Sequence, residues 1–268
     1  MKKLFFVLLS VTCFLSANSL EQIRSQNVIR IGVSPSTPPL SQLDRHGNFS
    51  GFEIDLAQEL GKAIVPGGKI ELIGVKAADR SSAVVNNQVD LLINNWARTE
   101  RRAEVMDFSI PYLSLSLAIV AKKNSGITSE ADLNNRKVAV IPDTNSEIYL
   151  KGKGIQTVSC HNNMECFHKV SDGLADAYMH NILNVSIIPL LDADYEVAVK
   201  AVGAILFDCV ATQKGNKSLI EIIDNKILEL SKQGFFDKAY QHTFANFYKG
   251  TVEEDYFLLE EVYSTFGM

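Results

Sequence analysis

NNWARTERRAEVMDFSIPYL, residues 94–113, is the stretch on which the reading of this chain turns. Thr99 has the form of a helix N-cap, and Arg102 then falls in the first helical turn. Arg101 and Arg102 sit near the positive end of that helix dipole, where a cation gains nothing from the helix. An arginine held beside free backbone N–H groups suits the capture of an anion such as a carboxylate. A solvated helix start with two surface arginines is the plainer reading, and local spacing alone leaves both open.

Outward from this stretch, strand and helix patterns alternate. Residues 28–33, 69–75, 90–94, 117–122, 137–141, 177–179 and 204–212 read as strands. Helical spacing covers 52–64, 80–86, 167–174 and 217–233, the last closed by Gly234 as a fitting C′ residue. Ser129 is cap-like, with Asp132 three residues on. Thr144 with Glu147 has the form of a capping box that opens a helix through Leu150. The alternation predicts an α/β fold with largely parallel sheets. No internal repeat or low-complexity tract is present.

The chain opens MKKLFFVLLSVTCFLSANS. Two lysines, a short apolar run and small residues make this a Sec signal peptide with cleavage after Ala17 or Ser19. The run is too short to span a membrane, and Ser10 stands where a lipobox at Cys13 wants Leu. The expected location is therefore the periplasm, without a lipid anchor. Cleavage after Ser19 leaves 249 of 268 residues, enough for two lobes. Losing Lys2 and Lys3 takes the net charge from −5 to −7. With no basic stripe, no nucleic-acid partner is expected.

Cys160, Cys166 and Cys209 remain in the mature chain, an odd number for an oxidising compartment. Cys160 and Cys166 are close enough for a small disulfide loop. Together with His161 and His168 they can be drawn as a metal site, but the spacing matches no common zinc pattern, so no metal and no cofactor is expected. Cys209 lies in an apolar strand and reads as buried and inert.

Eight segments in order carry a family resemblance. They are IRIGVSPSTPPLS (29–41), GFEIDLAQEL (51–60), QVDLLINN (88–95), TERR (99–102), DFSIPYL (107–113), RKVAVIPDTNSE (136–147), ADAYMHN (175–181) and ATQKGNKSL (211–219). The chain resembles the periplasmic amino-acid-binding proteins of ABC importers, solute-binding protein family 3. The resemblance implies a type II periplasmic binding protein fold. Each of two lobes is then a central sheet flanked by helices, and two crossing strands near 112–116 and 207–211 join them. Expected limits are 1–19 for the signal, 20–114 and 209–268 for lobe 1, and 115–208 for lobe 2.

The resemblance also implies site residues. Arg102 matches the arginine that clamps the ligand α-carboxylate. Asn95 and Ala97 match positions whose backbone groups meet the ligand. Thr144, Asn145 and Ser146 stand at a helix start from which N–H groups and hydroxyls reach the same carboxylate. Thr144 reads equally as a plain N-cap. Many members hold the ammonium with an Asp where this chain has Asn181; Asp143, beside Thr144, is the candidate replacement. His180 is either a contact or a satisfied structural group. Trp96 is either the pocket wall or core. Thr37 and Ala77 stand where members often carry aromatics. Ser34 sits at a specificity position, and Arg98 either reads a side-chain carboxylate or points to solvent.

The reading is a binder, not an enzyme. It captures a polar or acidic amino acid by hinge closure of two lobes and delivers it, as a monomer, to an ABC permease in the inner membrane. The alternatives are a cyclohexadienyl (prephenate/arogenate) dehydratase on the same fold, using Asp143 or His180 as acid; a binder of an organic acid lacking an amine; and a surface adhesin or antigen.

Overall fold

The computed structural model describes residues 18–257 together with Leu259 and Tyr263. Apart from Asn18 and Ser19, the expected signal segment lies outside the described residues. The strands are β1 (Val28–Val33), β2 (Ser36–Thr37), β3 (Ser41–Leu43), β4 (Phe49–Ser50), β5 (Lys69–Gly74), β6 (Leu91–Ile93), β7 (Met106–Lys122), β8 (Lys137–Val140), β9 (Gln156–Ser159), β10 (Ala177–Asn181) and β11 (Tyr195–Gln213). The α-helices up to Lys232 are α1 (Leu20–Gln26), α2 (Phe52–Ile64), α3 (Arg80–Val85), α4 (Glu100–Ala103), α5 (Asn145–Gly152), α6 (Asn163–Ser171), α7 (Ile182–Val185), α8 (Ile188–Leu191) and α9 (Lys217–Lys232).

α2 shows how the pattern becomes structure. Phe52, Leu56, Ala57, Leu60 and Ile64 recur at helical spacing, and all are buried. Each large apolar side chain removed from water there contributes roughly 1.5–3 kcal/mol. The helix starts at Gly51, whose φ of 126° puts it in a region that favours glycine. A Cβ at that position would strike the Leu40 and Pro39 carbonyl oxygens.

Eight strands form one sheet in the order β5-β1-β6-β11-β7-β10-β8-β9. The expectation of largely parallel pairing holds only toward the edges. β1 runs parallel to β5 and β6, and β8 parallel to β9 and β10. In the middle, β11 is antiparallel to β6 and β7, and β7 to β10. The two long strands run back through the molecule, and that reversal produces the mixture. β2, β3 and β4 form a separate small antiparallel sheet.

The segments expected to cross, 112–116 and 207–211, lie inside these long strands. Leu113 pairs with Asp208, Ser114 with Phe207 and Leu115 with Leu206. Register shifts flank Cys209, which stands opposite Pro111. Proline has no N–H for the ladder, so it is tolerated where the pairing is already irregular. Tyr263 Oη donates to the Pro111 carbonyl at 2.6 Å, which ties the C-terminal segment to the same strand.

The buried residues fall into three groups. One follows α2, α9 and the aromatic C-terminal region. A second packs β7, β8 and β10 with Leu133 and Leu150. The third lies behind β6 and includes Val75, Val84, Leu92, Trp96 and Met106. Cys160 and Cys166 are joined in a disulfide that connects the end of β9 to α6. Cys209 is free and buried, as its apolar strand implied.

Candidate functional site

The carboxyl ends of β6, β8 and β10 and the middle of β7 and β11 converge on one cleft. Strand ends and the turns that follow them are where an open α/β sheet offers backbone groups to a ligand. The lining comprises Arg80, Asn95, Trp96, Ala97, Arg102, Leu115, Leu117, Thr144, Asn145, Ser146, His180, Asn181, Leu206 and Asp208. The cleft encloses about 360 Å³ including its mouth. A cleft of that size suits a small solute.

The turn after β6 carries the cation site. Thr99 caps α4, and its Oγ1 accepts from the Arg102 N–H at 3.3 Å, as the spacing predicts. α4 is a single turn, however, so its dipole is weak and does not hold an anion for Arg102. The guanidinium instead folds back. Its Nη1 donates to the Ala97 carbonyl at 2.6 Å, and its carbon lies 4.5 Å from the centre of the Trp96 ring. Burial first, then repulsion from Arg80, lowers its pKa to about 10, with Asp208 acting in the opposite sense. Arg102 therefore stays charged at neutral pH. Trp96 is both wall and core: it lines the cleft and packs in the group behind β6.

Asn95 takes a left-handed φ of 42°, which Asn tolerates better than most residues. Its N–H donates to Glu53 Oε1 at 2.5 Å, and Tyr112 Oη donates to the same oxygen at 2.7 Å. Glu53 is fully buried on α2, and burial raises its pKa. Arg80 heads α3, donating Nε to Asn94 Oδ1 at 2.9 Å. Asn94 Nδ2 in turn reaches the Val75 carbonyl at 2.9 Å, so the second cation of the cleft is also held in place.

The turn after β8 leads into α5. Thr144 caps the helix, donating Oγ1–H to the Ile141 carbonyl at 2.7 Å. Glu147 reaches back to the Asp143 N–H at 2.9 Å instead of closing the expected box on Thr144. The first-turn N–H groups of α5 have no intrahelical acceptor. Ser146 lies beside them, 1% exposed, with an Oγ that has no partner within the protein. A carboxylate between Arg102 and this helix start meets both charge and donors.

β10 delivers the remaining polar groups. His180 Nδ1 accepts from the Asn181 N–H at 2.8 Å and faces Asn184 Nδ2 at 2.7 Å. Two donors on one nitrogen place the ring proton on Nε2. Burial, with repulsion from Arg80 second, lowers the His180 pKa to about 3, so the ring is neutral. Asn181 caps α7 and donates Nδ2 to Asn95 Oδ1 at 2.9 Å.

Arg102, Asn95, Ala97, Trp96, Thr144, Asn145, His180 and Asn181 all line this one cleft. Two other expected residues are placed elsewhere. Thr37 lies outside the lining, and its Oγ1 is bonded to Ser34 Oγ at 2.7 Å. Asp143 is exposed, has a left-handed φ of 61°, and is not part of the lining. Ala77 is also outside and exposed, and Arg98 is exposed. Sequence reasoning missed Arg80 and Asp208. Asp208 had a signal, an acid inside the otherwise apolar run AILFDCVAT; Arg80 had none.

This fold and cleft define a two-lobe solute-binding protein. The chain belongs to the bacterial extracellular solute-binding proteins, family 3, whose profile it matches over residues 29–246. It is 26% identical to the L-cystine-binding protein TcyJ of Escherichia coli (strain K12) over 230 residues, 84% of this chain and 86% of that protein. Two solved structures match with a TM-score of 0.81. One is a solute receptor for L-cysteine of Neisseria gonorrhoeae, 29% identical, covering 88% of this chain and 98% of that one. The other is the cysteine-binding protein from Campylobacter jejuni, 32% identical, covering 89% and 97%. All three are named for binding, in agreement with the reading of this chain as a binder and not an enzyme.

Proposed function

We propose that the chain is the periplasmic receptor of an ABC importer for a small polar amino acid, with L-cysteine and L-cystine foremost. It works as a monomer that hands its ligand to a permease in the inner membrane. The observation that carries this reading is the small cleft with Arg102 on one side and the α5 helix start, with the unpartnered Ser146 hydroxyl, on the other. The relatives supply the candidate ligands. Leu115, Leu117 and Leu206 give the ligand side chain an apolar wall, which suits a thiol or disulfide better than a second carboxylate. Closure turns on the crossings in β7 and β11, with lobe limits near residues 114 and 208.

Among the described residues no helix is long and apolar enough to cross a membrane. The deciding experiment is a thermal-shift screen with the twenty L-amino acids and L-cystine. A ligand at a hundred times its Kd stabilises the folded state by about 2.7 kcal/mol, a rise of roughly 5–10 °C for a chain of this size. A shift with L-cysteine or L-cystine is expected. No shift with any amino acid would overturn the proposal.

A further inference from the structure

A zwitterionic ligand needs an acid as well as Arg102, and the positions first expected to supply one do not. Both polar groups of the Asn181 amide are in use: Nδ2 donates to Asn95 Oδ1 at 2.9 Å, and Oδ1 accepts from the Asn184 N–H at 3.0 Å. Asp143 is exposed and outside the lining. Among the described residues that line the cleft, one carboxylate is left, that of Asp208.

Asp208 sits on rigid backbone. It pairs with Leu113 of β7 on one side and forms a bridge to Ala97 on the other. Ala97 is the residue whose carbonyl holds the Arg102 guanidinium, so the acid and the cation face the cleft from adjacent backbone. Asp208 is 1% exposed, and its Oδ2 has no hydrogen-bond partner within the protein. Burial first and then Glu53 raise its pKa, and Arg80 and Arg102 oppose that through space, yet no ion pair joins it to either arginine among the described residues. A buried carboxylate oxygen with no donor is costly in a finished core and sensible in a binding site. Arg80 also lines the cleft and is drawn first to Glu53 and then to Asp208, while Arg102 and Asp208, on adjacent backbone, are the pair of charges that a zwitterion matches.

We infer that Asp208 is the acceptor for the ligand ammonium, and that it restricts the site to molecules carrying an amine beside their carboxylate. The acid then comes from the second crossing strand and not from the end of β10. This inference rests on the proposed amino-acid function, and it rejects amine-free organic acids of the same skeleton. Rejection follows because such an acid leaves Asp208 buried and unpaired beside a bound carboxylate.

The test is calorimetry on the full mature protein with L-cysteine and with 3-mercaptopropionate, the same skeleton without its amine. Wild-type protein is expected to bind L-cysteine at least roughly 30-fold more tightly, the scale for a desolvated charge pair. Asp208→Asn, which keeps size and shape, should lose a similar factor for L-cysteine and none for 3-mercaptopropionate. Circular dichroism and melting check its fold, and Asp208→Ser is the second variant. Wild-type affinity for L-cysteine in a folded Asp208 variant overturns the inference alone. So does equal wild-type affinity for the two probes, a result that needs no variant. Wild-type protein that binds no amino acid in the screen overturns the proposed function, and this inference with it.

Discussion

The Asn181 side-chain amide donates to Asn95 Oδ1 at 2.9 Å, and this bond spans the cleft. Asn95 follows β6, on one side of the long strands, and Asn181 ends β10, on the other. Each residue is anchored behind the bond. Asn95 rests on Glu53 through its N–H, and Asn181 caps α7 through its Oδ1. Under the proposed closure, the pair is a latch between these supports. Asn181→Ser should keep the cap and lose the reach across the cleft. One net hydrogen bond is about 1 kcal/mol, so ligand affinity should fall about fivefold while the melting temperature of free protein changes little. Small-angle scattering should show a more open average shape, and an unchanged affinity and shape would remove the latch.

Arg102→Ala should abolish useful binding while the fold survives. Removing one partner of a desolvated charge pair costs roughly 2–5 kcal/mol, or about 30- to several-thousand-fold in affinity. Arg102→Lys should recover little, because an ammonium cannot span the Ala97 carbonyl, the Trp96 face and a ligand carboxylate together. Trp96 is the chain's single tryptophan and lines the cleft, so its fluorescence reports the titration directly. Near wild-type affinity in Arg102→Ala would take the arginine out of the site.

α2 was legible to the residue because Phe52, Leu56, Leu60 and Ile64 repeat at one spacing. β11 was read over 204–212 and runs from Tyr195 to Gln213. Its outer half does alternate, Tyr195, Val197 and Val199 against Glu196 and Lys200, and that signal went unread. α1 went unread because its residues adjoin a signal-like segment. At the site, Arg102, Asn95 and Thr144 stood out through motif and spacing. Arg80 reaches the cleft from the start of a short helix, and only the tertiary path of α3 brings it there. Glu53, an acid in the first turn of α2 that the sequence reading did not single out, is fully buried under Asn95.

Asn18 and Ser19 bear on the processing site. Asn18 Nδ2 donates to Asp90 Oδ1 at 3.0 Å, and its carbonyl accepts from Asn216 Nδ2 at 2.9 Å. Ser19 caps α1 in a reciprocal box with Gln22. Cleavage after Ser19 would discard both, at a cost of about 1 kcal/mol for the cap alone. The expected mature N-terminus is therefore Asn18, read by N-terminal sequencing of exported protein. A mature chain beginning at Leu20 would show that this packing does not influence processing.

His180 predicts an acid sensitivity with a definite sign. Its Nδ1 takes the Asn181 N–H and faces the Asn184 amide, so a proton there would meet two donors. Burial and Arg80 add to this, and the folded pKa is about 3 against 6.5 for a free side chain. Between those values the unfolded chain carries a proton that the folded chain refuses. Stability from this group is thus complete above pH 6.5 and is lost as pH falls toward 3. Each pH unit in that window removes up to about 1.4 kcal/mol. Glu53 and Asp208, whose pKa values are raised by burial, act with the opposite sign, so the wild-type profile alone is a mixture. His180→Asn separates them, because its Oδ1 accepts where Nδ1 did and does not titrate. Urea unfolding between pH 7 and pH 4 should show the wild type losing stability relative to this variant as pH falls. Parallel profiles would mean that His180 is protonated in the folded protein or sits open to solvent.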